Sequence, residues 1–294
     1  MKSPYRPYPW ATPYLFLLPF LSVFLVFLVY PLFQSVVLSL EQTFGPGYKE
    51  FVFLDNFVHL FSDPLFYRAF WNTTVFATAS VALQLPLSLG LALLMNRPDV
   101  RGRAFFRLIF FSPALVGAVF VGVMFGIIFQ KRTGLLNVIL HHLIGFNLDF
   151  PWLQVYVMPA LILASLWMWT GFNMIYFLAA LQSVDKDLMD ASRIDGAGPF
   201  GRFRYVILPA IRPVGGFVLL LSLIGSFQLF ELPYLLLGQT AGPDNRGLTV
   251  VMYLYQTGFE TGDLGYASAI GWALAVVLVA LAILQRRLSS SEEY

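Results

Sequence analysis

The sequence of 294 residues contains no cysteine, three histidines and only 12% charged residues. The missing cysteine excludes a disulfide framework, a thiolate metal site and a cysteine nucleophile. His59, His141 and His142 lie in polar connectors, and the adjacent pair is poorly spaced for binding one metal ion from a helix face. A net charge of +2 does not suggest a nucleic-acid partner. Because a soluble domain has about a quarter charged residues, this chain, 58% hydrophobic, is predicted to be a membrane protein.

Six apolar windows are long enough to cross a bilayer, which requires about 20 residues per helix. They are Tyr14–Leu40, Ala69–Met95, Leu108–Phe129, Tyr156–Val184, Pro213–Leu237 and Leu264–Gln285. The first is interpreted as a retained helix, since it is too long for the apolar part of a signal peptide. The sequence therefore predicts an all-α membrane protein, with one transmembrane domain over residues 14–285 between tails of residues 1–13 and 286–294.

The distribution of Lys and Arg among the connectors predicts the orientation. Of the 18 such residues, thirteen lie in the N-terminal tail, the second and fourth connectors and the C-terminal tail, and five lie on the other side. Both termini are therefore expected in the cytoplasm, together with the fourth connector, residues 185–212. That connector has nine formal charges, and burying them in lipid would cost roughly 20–30 kcal/mol.

The fourth connector is predicted to form two short helices around a glycine turn. Lys186–Ile194 contains no helix breaker, and acidic residues suit its first turn, where the helix dipole favours negative charge. Gly196 and Gly198 supply a stop, and Pro199 fits the first position of a second helix. Pro209 and Pro213 are expected to end that helix and to begin the fifth span.

The same connector contains Asp190-Ala191-Ser192, then Gly196 after three residues, and Val206-x-Leu208-Pro209 after nine more. This pattern strongly resembles the cytoplasmic loop of binding-protein-dependent ABC importer permeases, whose signature is Glu-Ala-Ala, three residues, Gly, nine residues and Ile-x-Leu-Pro. It departs in Asp for Glu, Ser for the second Ala and Val for Ile. Similar segments elsewhere, including "RAFFRLIFFSPALVGAVFVGVMFGIIF" from Arg103 and "FELPYLLLGQTAGP" from Phe230, resemble the carbohydrate branch of these permeases, of maltose or glycerol-phosphate type.

This resemblance implies a type I ABC importer permease fold in the inner membrane of a prokaryote. The implied partners are a second permease subunit, two copies of a cytoplasmic ATPase and an extracytoplasmic solute-binding protein. No lysine follows a glycine, so the chain lacks a phosphate-binding loop, and ATP and magnesium are expected on the partner ATPase. The first short helix would act as a coupling helix. The expected ATPase-contact set is Leu188, Asp190, Ala191, Arg193, Asp195, Gly196, Leu208 and Pro209.

A substrate pathway is predicted at mid-depth in the spans. Helix rise places Gly171 roughly 18 Å into the fourth span, with Trp167 on the same face and Trp169 nearby. In the fifth span, Ser222 and Ser226 share a face, with Gln228 beyond. The resemblance adds Ala114 and Ala118 of the third helix. The alternative for these residues is helix packing, which small side chains permit and which is the interpretation for Gly122 and Gly126.

Other functions remain open from the residues alone. An ion-coupled secondary transporter would use Glu231, the one acid inside a predicted span, although about 27 Å of rise places it near the outer boundary and favours a structural or gate role. A membrane-embedded enzyme would need paired carboxylates or a histidine in the core, and the spans provide neither. Among ABC permeases, an amino-acid or peptide carrier is a further alternative, and the sequence does not identify the sugar or polyol.

Overall fold

The computed structural model describes residues 11–43, 47 and 49–290. The first ten residues of the predicted N-terminal tail and the last four of the predicted C-terminal tail lie outside the described residues. The described part is helical apart from one two-stranded hairpin, which confirms the predicted all-α class. It divides into two compact units, one from the chain up to Ser62 with Leu254–Trp272, the other from Asp63–Tyr253 with the chain from Ala273.

The first unit begins with an apolar helical rod. Helix α1 (Thr12–Phe24), a π-helical turn (Leu25–Val29) and α2 (Tyr30–Ser39) follow one another without a break. The wide turn directly precedes Pro31, and the Tyr30 N–H bonds to the Leu25 carbonyl. The antiparallel strands β1 (Glu41–Thr43) and β2 (Lys49–Phe51) follow, and then α3 (Asp55–Leu60).

The second unit contains most of the helices. They are α4 (Pro64–Asn96), α5 (Arg103–Phe111), a 3-10 turn (Ser112–Leu115), α6 (Ala118–Ile128), α7 (Leu135–Ile144), α8 (Val157–Gln182), α9 (Lys186–Ile194), α10 (Pro199–Arg202), a π-helical turn (Phe203–Ile207), α11 (Leu208–Phe227), α12 (Glu231–Leu236) and a 3-10 turn (Pro243–Asn245). The last described elements are α13 (Val250–Tyr255), a π-helical turn (Gln256–Glu260) and α14 (Leu264–Ser290), and the boundaries between the units fall within α13 and α14.

Helices α4 and α8 form the centre of the second unit. Their buried residues include several small ones, such as Ala77, Ser88 and Ala164, which let the two backbones approach closely. The Ser88 hydroxyl donates to the Thr170 carbonyl across the pair at 2.8 Å. Apolar clusters extend from this centre to α6 and α12 on one side and to α11 on the other.

The third predicted span, Leu108–Phe129, is sharply bent after Pro113. Among the described residues, five helices are long and apolar enough to cross a membrane. There are six spans if Arg103–Leu115 and Ala118–Ile128, which meet at 98°, are counted as one. Pro113 has no N–H to continue the α-helical ladder. The Ser112 hydroxyl bonds to the Ile109 carbonyl instead, and Val116 and Gly117 are extended.

The predicted limits of the fifth span are wrong. One helical rod, 29 residues from Pro199 to Phe227, crosses both Pro209 and Pro213 without a break. A π-helical turn precedes Pro209, and the Leu208 N–H bonds to the Phe203 carbonyl, five residues back. The rod ends before Gln228, so Glu231 is not inside a span; it begins the separate helix α12.

Buried side-chain amides fix two segments that lie beyond the spans. Asn137 of α7 is fully buried; its Nδ2 donates to the carbonyls of Leu148 and Phe150, and its Oδ1 accepts from the Trp152 indole. Asn72 of α4 is also buried, and its Nδ2 donates to the carbonyls of Asn245 and Leu248. Both segments are thereby held to the helices.

Candidate functional site: a central cavity and an exposed connector helix

A cavity of about 680 Å³ lies in the second unit between α4, α8 and α11. It reaches the first residue of α6, the break between α11 and α12, and α13. Its lining is Phe76, Gln84, Ala118, Ser165, Met168, Trp169, Phe172, Asn173, Tyr176, Leu221, Ser222, Gly225, Ser226, Gln228, Leu229, Phe230, Glu231, Leu232 and Val251. The volume falls in the range of sites for small organic ligands.

Helix α8 supplies the longest wall of this cavity. Its lining residues recur every three or four positions from Ser165 to Tyr176, a stripe roughly 16 Å long by helix rise. Three of them form an aromatic ladder: the ring centres of Trp169 and Phe172 are 5.8 Å apart, and those of Phe172 and Tyr176 are 5.3 Å apart. Such a ladder offers flat apolar surfaces alongside polar tips.

Polar groups lie on all three walls of the cavity. Asn173 Nδ2 of α8 donates to the Ser222 hydroxyl of α11 at 3.0 Å, which joins two walls. Gln84 of α4 is buried, and its Nε2 has no hydrogen-bond partner. Glu231 is the only charged side chain among the described lining residues. The cavity thus combines aromatic faces and neutral hydrogen-bonding groups with one carboxylate.

The structure brings five of the eight predicted pathway residues to this cavity: Ala118, Trp169, Ser222, Ser226 and Gln228. Their role in transport stays a prediction.

Ala114, Trp167 and Gly171 do not line it. Ala114 lies in the 3-10 turn before the bend, so it does not continue a helix face with Ala118. Trp167 packs its ring edgewise on Phe125, and a Cβ at Gly171 would lie 1.7 Å from the Phe110 carbonyl oxygen.

Sequence reasoning missed Gln84, Ser165, Phe172, Asn173 and Tyr176. A signal was present for two of them, because Gln84 and Asn173 are amides within otherwise apolar spans. Polar groups inside a membrane mark functional sites more often than apolar ones do. Asn173 also follows Trp169 by four positions, which places both on one helix face.

The connector helix α9 has the limits that its sequence predicts. Asp185 caps it by accepting from the Asp187 N–H at 2.9 Å. At its end Gly196 has φ +79°, a left-handed conformation that favours glycine. The Ala197 N–H bonds to the Ser192 carbonyl, which closes the turn, and Pro199 starts the following helix as expected.

The apolar face of α9 points away from the chain. Ile194 is 87% exposed and Leu188 58% exposed, and Ala191 between them is exposed as well. Ser192, on the other face, is buried, and its hydroxyl donates to the Met189 carbonyl. Phe200 and Tyr205 of the next helix are also exposed. Among the described residues, none covers this apolar side of α9.

The other predicted contact residues lie around this face. Asp190 and Arg193 form an exposed ion pair at 2.7 Å, and Asp195 ends α9 as its C-terminal cap. Leu208 is half-buried and Pro209 exposed, at the start of α11. All eight therefore belong to the connector and the start of α11; their contact with an ATPase stays a prediction.

Comparison with known proteins gives a consistent picture. Residues 84–292 match the family model described as binding-protein-dependent transport system inner membrane component. The chain is 39% identical over 284 residues to the arabinooligosaccharides transport system permease protein AraP of Bacillus subtilis (strain 168), covering 96% of this chain and 89% of the relative. It is 32% identical over 283 residues to the sn-glycerol-3-phosphate transport system permease protein UgpA of Escherichia coli (strain UTI89 / UPEC), covering 95% and 94%.

A solved structure has the same fold. The crystal structure of a bacterial alginate ABC transporter in complex with alginate pentasaccharide-bound periplasmic protein contains a chain that superimposes with a TM-score of 0.83. The two chains are 26% identical, and the match covers 94% of this chain and 93% of the other.

Proposed function

The chain belongs to the family of binding-protein-dependent transport system inner membrane components, and we propose that it forms half of the translocation pathway of an ATP-driven importer for a neutral sugar or polyol. Its partners are a second permease subunit, two copies of a cytoplasmic ATPase and an extracytoplasmic solute-binding protein. The importer lies in a prokaryotic inner membrane. Both termini face the cytoplasm, as the excess of Lys and Arg on that side favours.

One observation carries the proposal: α9 presents an apolar face that no described part of the chain covers, and it connects directly to two cavity walls. Only three residues, 183–185, separate α8 from α9. On the other side, the turn at Gly196 leads into the rod Pro199–Phe227, whose far end carries Ser222 and Ser226. A displacement of α9 by an ATPase would therefore move both walls of the cavity.

The mechanism follows from this connection. ATP binding favours a closed ATPase pair, which holds α9 in one of two positions; the preference is transmitted because the ATPase contacts the two states differently. The rod is roughly 43 Å long at 1.5 Å per residue and has no hinge at its prolines. Its motion would open the cavity alternately to the two sides of the membrane. ATP and magnesium bind on the partner, and this chain contributes no catalytic residue.

The cavity lining supports a neutral substrate. A phosphate or carboxylate ligand is usually held by Arg or Lys, yet the described lining residues include no cation, and Glu231 is their one charged side chain. Aromatic rings at Trp169, Phe172 and Tyr176 suit the apolar faces of sugar rings, and the amides and hydroxyls suit sugar hydroxyls. Among the named relatives' substrates, an arabinooligosaccharide fits this lining better than glycerol phosphate.

Reconstitution tests the proposal. The complete complex in liposomes, with ATP inside and the loaded binding protein outside, should take up a neutral oligosaccharide such as arabinotriose, and sn-glycerol 3-phosphate should not enter. Uptake that persists without ATP and collapses with an uncoupler would instead establish an ion-coupled carrier.

Two substitutions at Gly196 test the coupling role of the turn, each serving as the control for the other. A side chain there would meet open space but would have to adopt φ +79°, so Gly196→Val should impair coupling through the strained turn, whereas Gly196→Asn, a residue that tolerates this conformation, should retain most uptake. Equal uptake by both variants would contradict the coupling role of the turn.

A further inference from the structure

Gln84 is a buried amide that the protein leaves unsatisfied. It lies in the second half of α4, its side chain is 4% exposed, and its Nε2 has no hydrogen-bond partner. Burying a polar group without a partner is unfavourable, and most buried polar groups in proteins are paired. This residue therefore requires an explanation that packing alone does not give.

The other buried polar side chains of the same helix are paired. Asn72 donates to two carbonyls, Thr73 donates to the Ala69 carbonyl and accepts from the Val250 N–H, Ser80 donates to the Phe76 carbonyl, and Ser88 donates to the Thr170 carbonyl. Those four hold the helix to its surroundings or to itself. Gln84 differs in that it lines the cavity.

From this difference we infer that the Gln84 side-chain amide donates a hydrogen bond to a neutral oxygen of the substrate, a hydroxyl or a ring oxygen, when the substrate occupies the cavity. Asn173 and Ser222, on two other walls of the cavity, are already hydrogen-bonded to each other. Gln84 therefore offers a free donor on the α4 wall, facing a cavity whose α8 wall carries the aromatic ladder. A site that hydrogen-bonds a substrate group discriminates strongly against molecules lacking it. The inference rests on the proposed function and adds a specificity-determining residue to it.

The test separates a binding role from a structural one by their opposite effects on stability. Gln84→Met keeps the length of the side chain and removes the amide. Because the wild-type donor is unsatisfied in the empty protein, the thermal midpoint of the purified complex should stay the same or rise. Uptake of arabinotriose by the reconstituted complex should fall about tenfold, the effect of losing one hydrogen bond of about 1.4 kcal/mol.

Ser88→Ala is the matched control, one helical turn further along α4. Its hydroxyl bonds α8 and it does not line the cavity, so its loss should lower the thermal midpoint and leave uptake per folded complex within about twofold.

Three results would overturn the inference. Uptake by Gln84→Met within twofold of wild type would mean that the amide does not contact substrate. A thermal midpoint that falls together with uptake would assign Gln84 a structural role, as would equal losses in Gln84→Met and Ser88→Ala. Failure of the proposed function is distinguishable, since the wild-type complex itself would then show no ATP-dependent uptake of arabinotriose, of lactose or of other neutral oligosaccharides.

Discussion

Removing the exposed apolar side chains of α9 should release the chain from its ATPase without unfolding it. The perturbation is the double substitution Leu188→Ser and Ile194→Ser. Complete burial of such a side chain is worth about 1.5–3 kcal/mol. Scaled by the exposed fractions, 58% and 87%, the pair would contribute about 2–4 kcal/mol to docking. At 1.4 kcal/mol per tenfold, this corresponds to a Kd increase of roughly 30- to 700-fold.

The assay is the binding of purified ATPase to the permease pair in nanodiscs, followed by uptake measurements. The chain itself should keep its thermal midpoint, because substitutions of exposed residues usually change stability by less than about 0.5 kcal/mol. Val276→Ser with Val279→Ser serves as the control, since these two are similarly exposed but lie on α14. A Kd that changes by less than threefold in the α9 variant would refute the assignment of this face to the ATPase.

Three further substitutions test the architecture. Gly171→Ala should reduce the yield of folded protein in size-exclusion chromatography, because the new methyl group would lie 1.7 Å from the Phe110 carbonyl oxygen. A normal yield together with an altered sugar preference would instead indicate that Gly171 belongs to the substrate pathway. Asn137→Ala removes the side-chain donor to the Leu148 and Phe150 carbonyls and leaves the Trp152 indole N–H without its acceptor. It should cost about 1–3 kcal/mol, seen as a lower melting temperature; an unchanged melting temperature would contradict this. Glycine at both Tyr205 and Val206 should soften the rod and lower uptake per ATP hydrolysed, whereas alanine at both should not.

Local chemistry made the connector predictable from the sequence. The limits of α9 follow from signals within a few residues of each end: the Asp185 cap at one end and the left-handed Gly196 at the other. Both act on the backbone directly and do not depend on tertiary contacts. The existence of the apolar helices follows equally well, since their composition alone distinguishes them from the connectors.

The faces of those helices could not be predicted, because a membrane helix is apolar on its lipid side and on its protein side alike. Trp167 and Trp169 illustrate the problem. Both lie near the middle of α8, yet one packs on Phe125 and the other lines the cavity. Hydrophobic periodicity distinguishes the core face of a helix from its solvent face in a soluble protein. It distinguishes the two faces poorly here, because both are apolar. The amides Gln84 and Asn173 would have been the better guide.

Pro113 and Pro209 act on their helices in opposite ways, and the continuation at Pro209 departs from the sequence prediction. At Pro113 the α-helix is interrupted. The Ser112 hydroxyl donates to the Ile109 carbonyl, which would otherwise lack a donor, and the chain turns through 98°. At Pro209 the helix widens by one residue into a π turn and continues. A proline in the sequence therefore predicts that one backbone N–H donor is missing, but it does not predict how the neighbouring groups compensate for it. The compensation at Pro209 has the larger consequence, because a continuous rod from the connector to the cavity wall can transmit a displacement that two jointed helices would absorb.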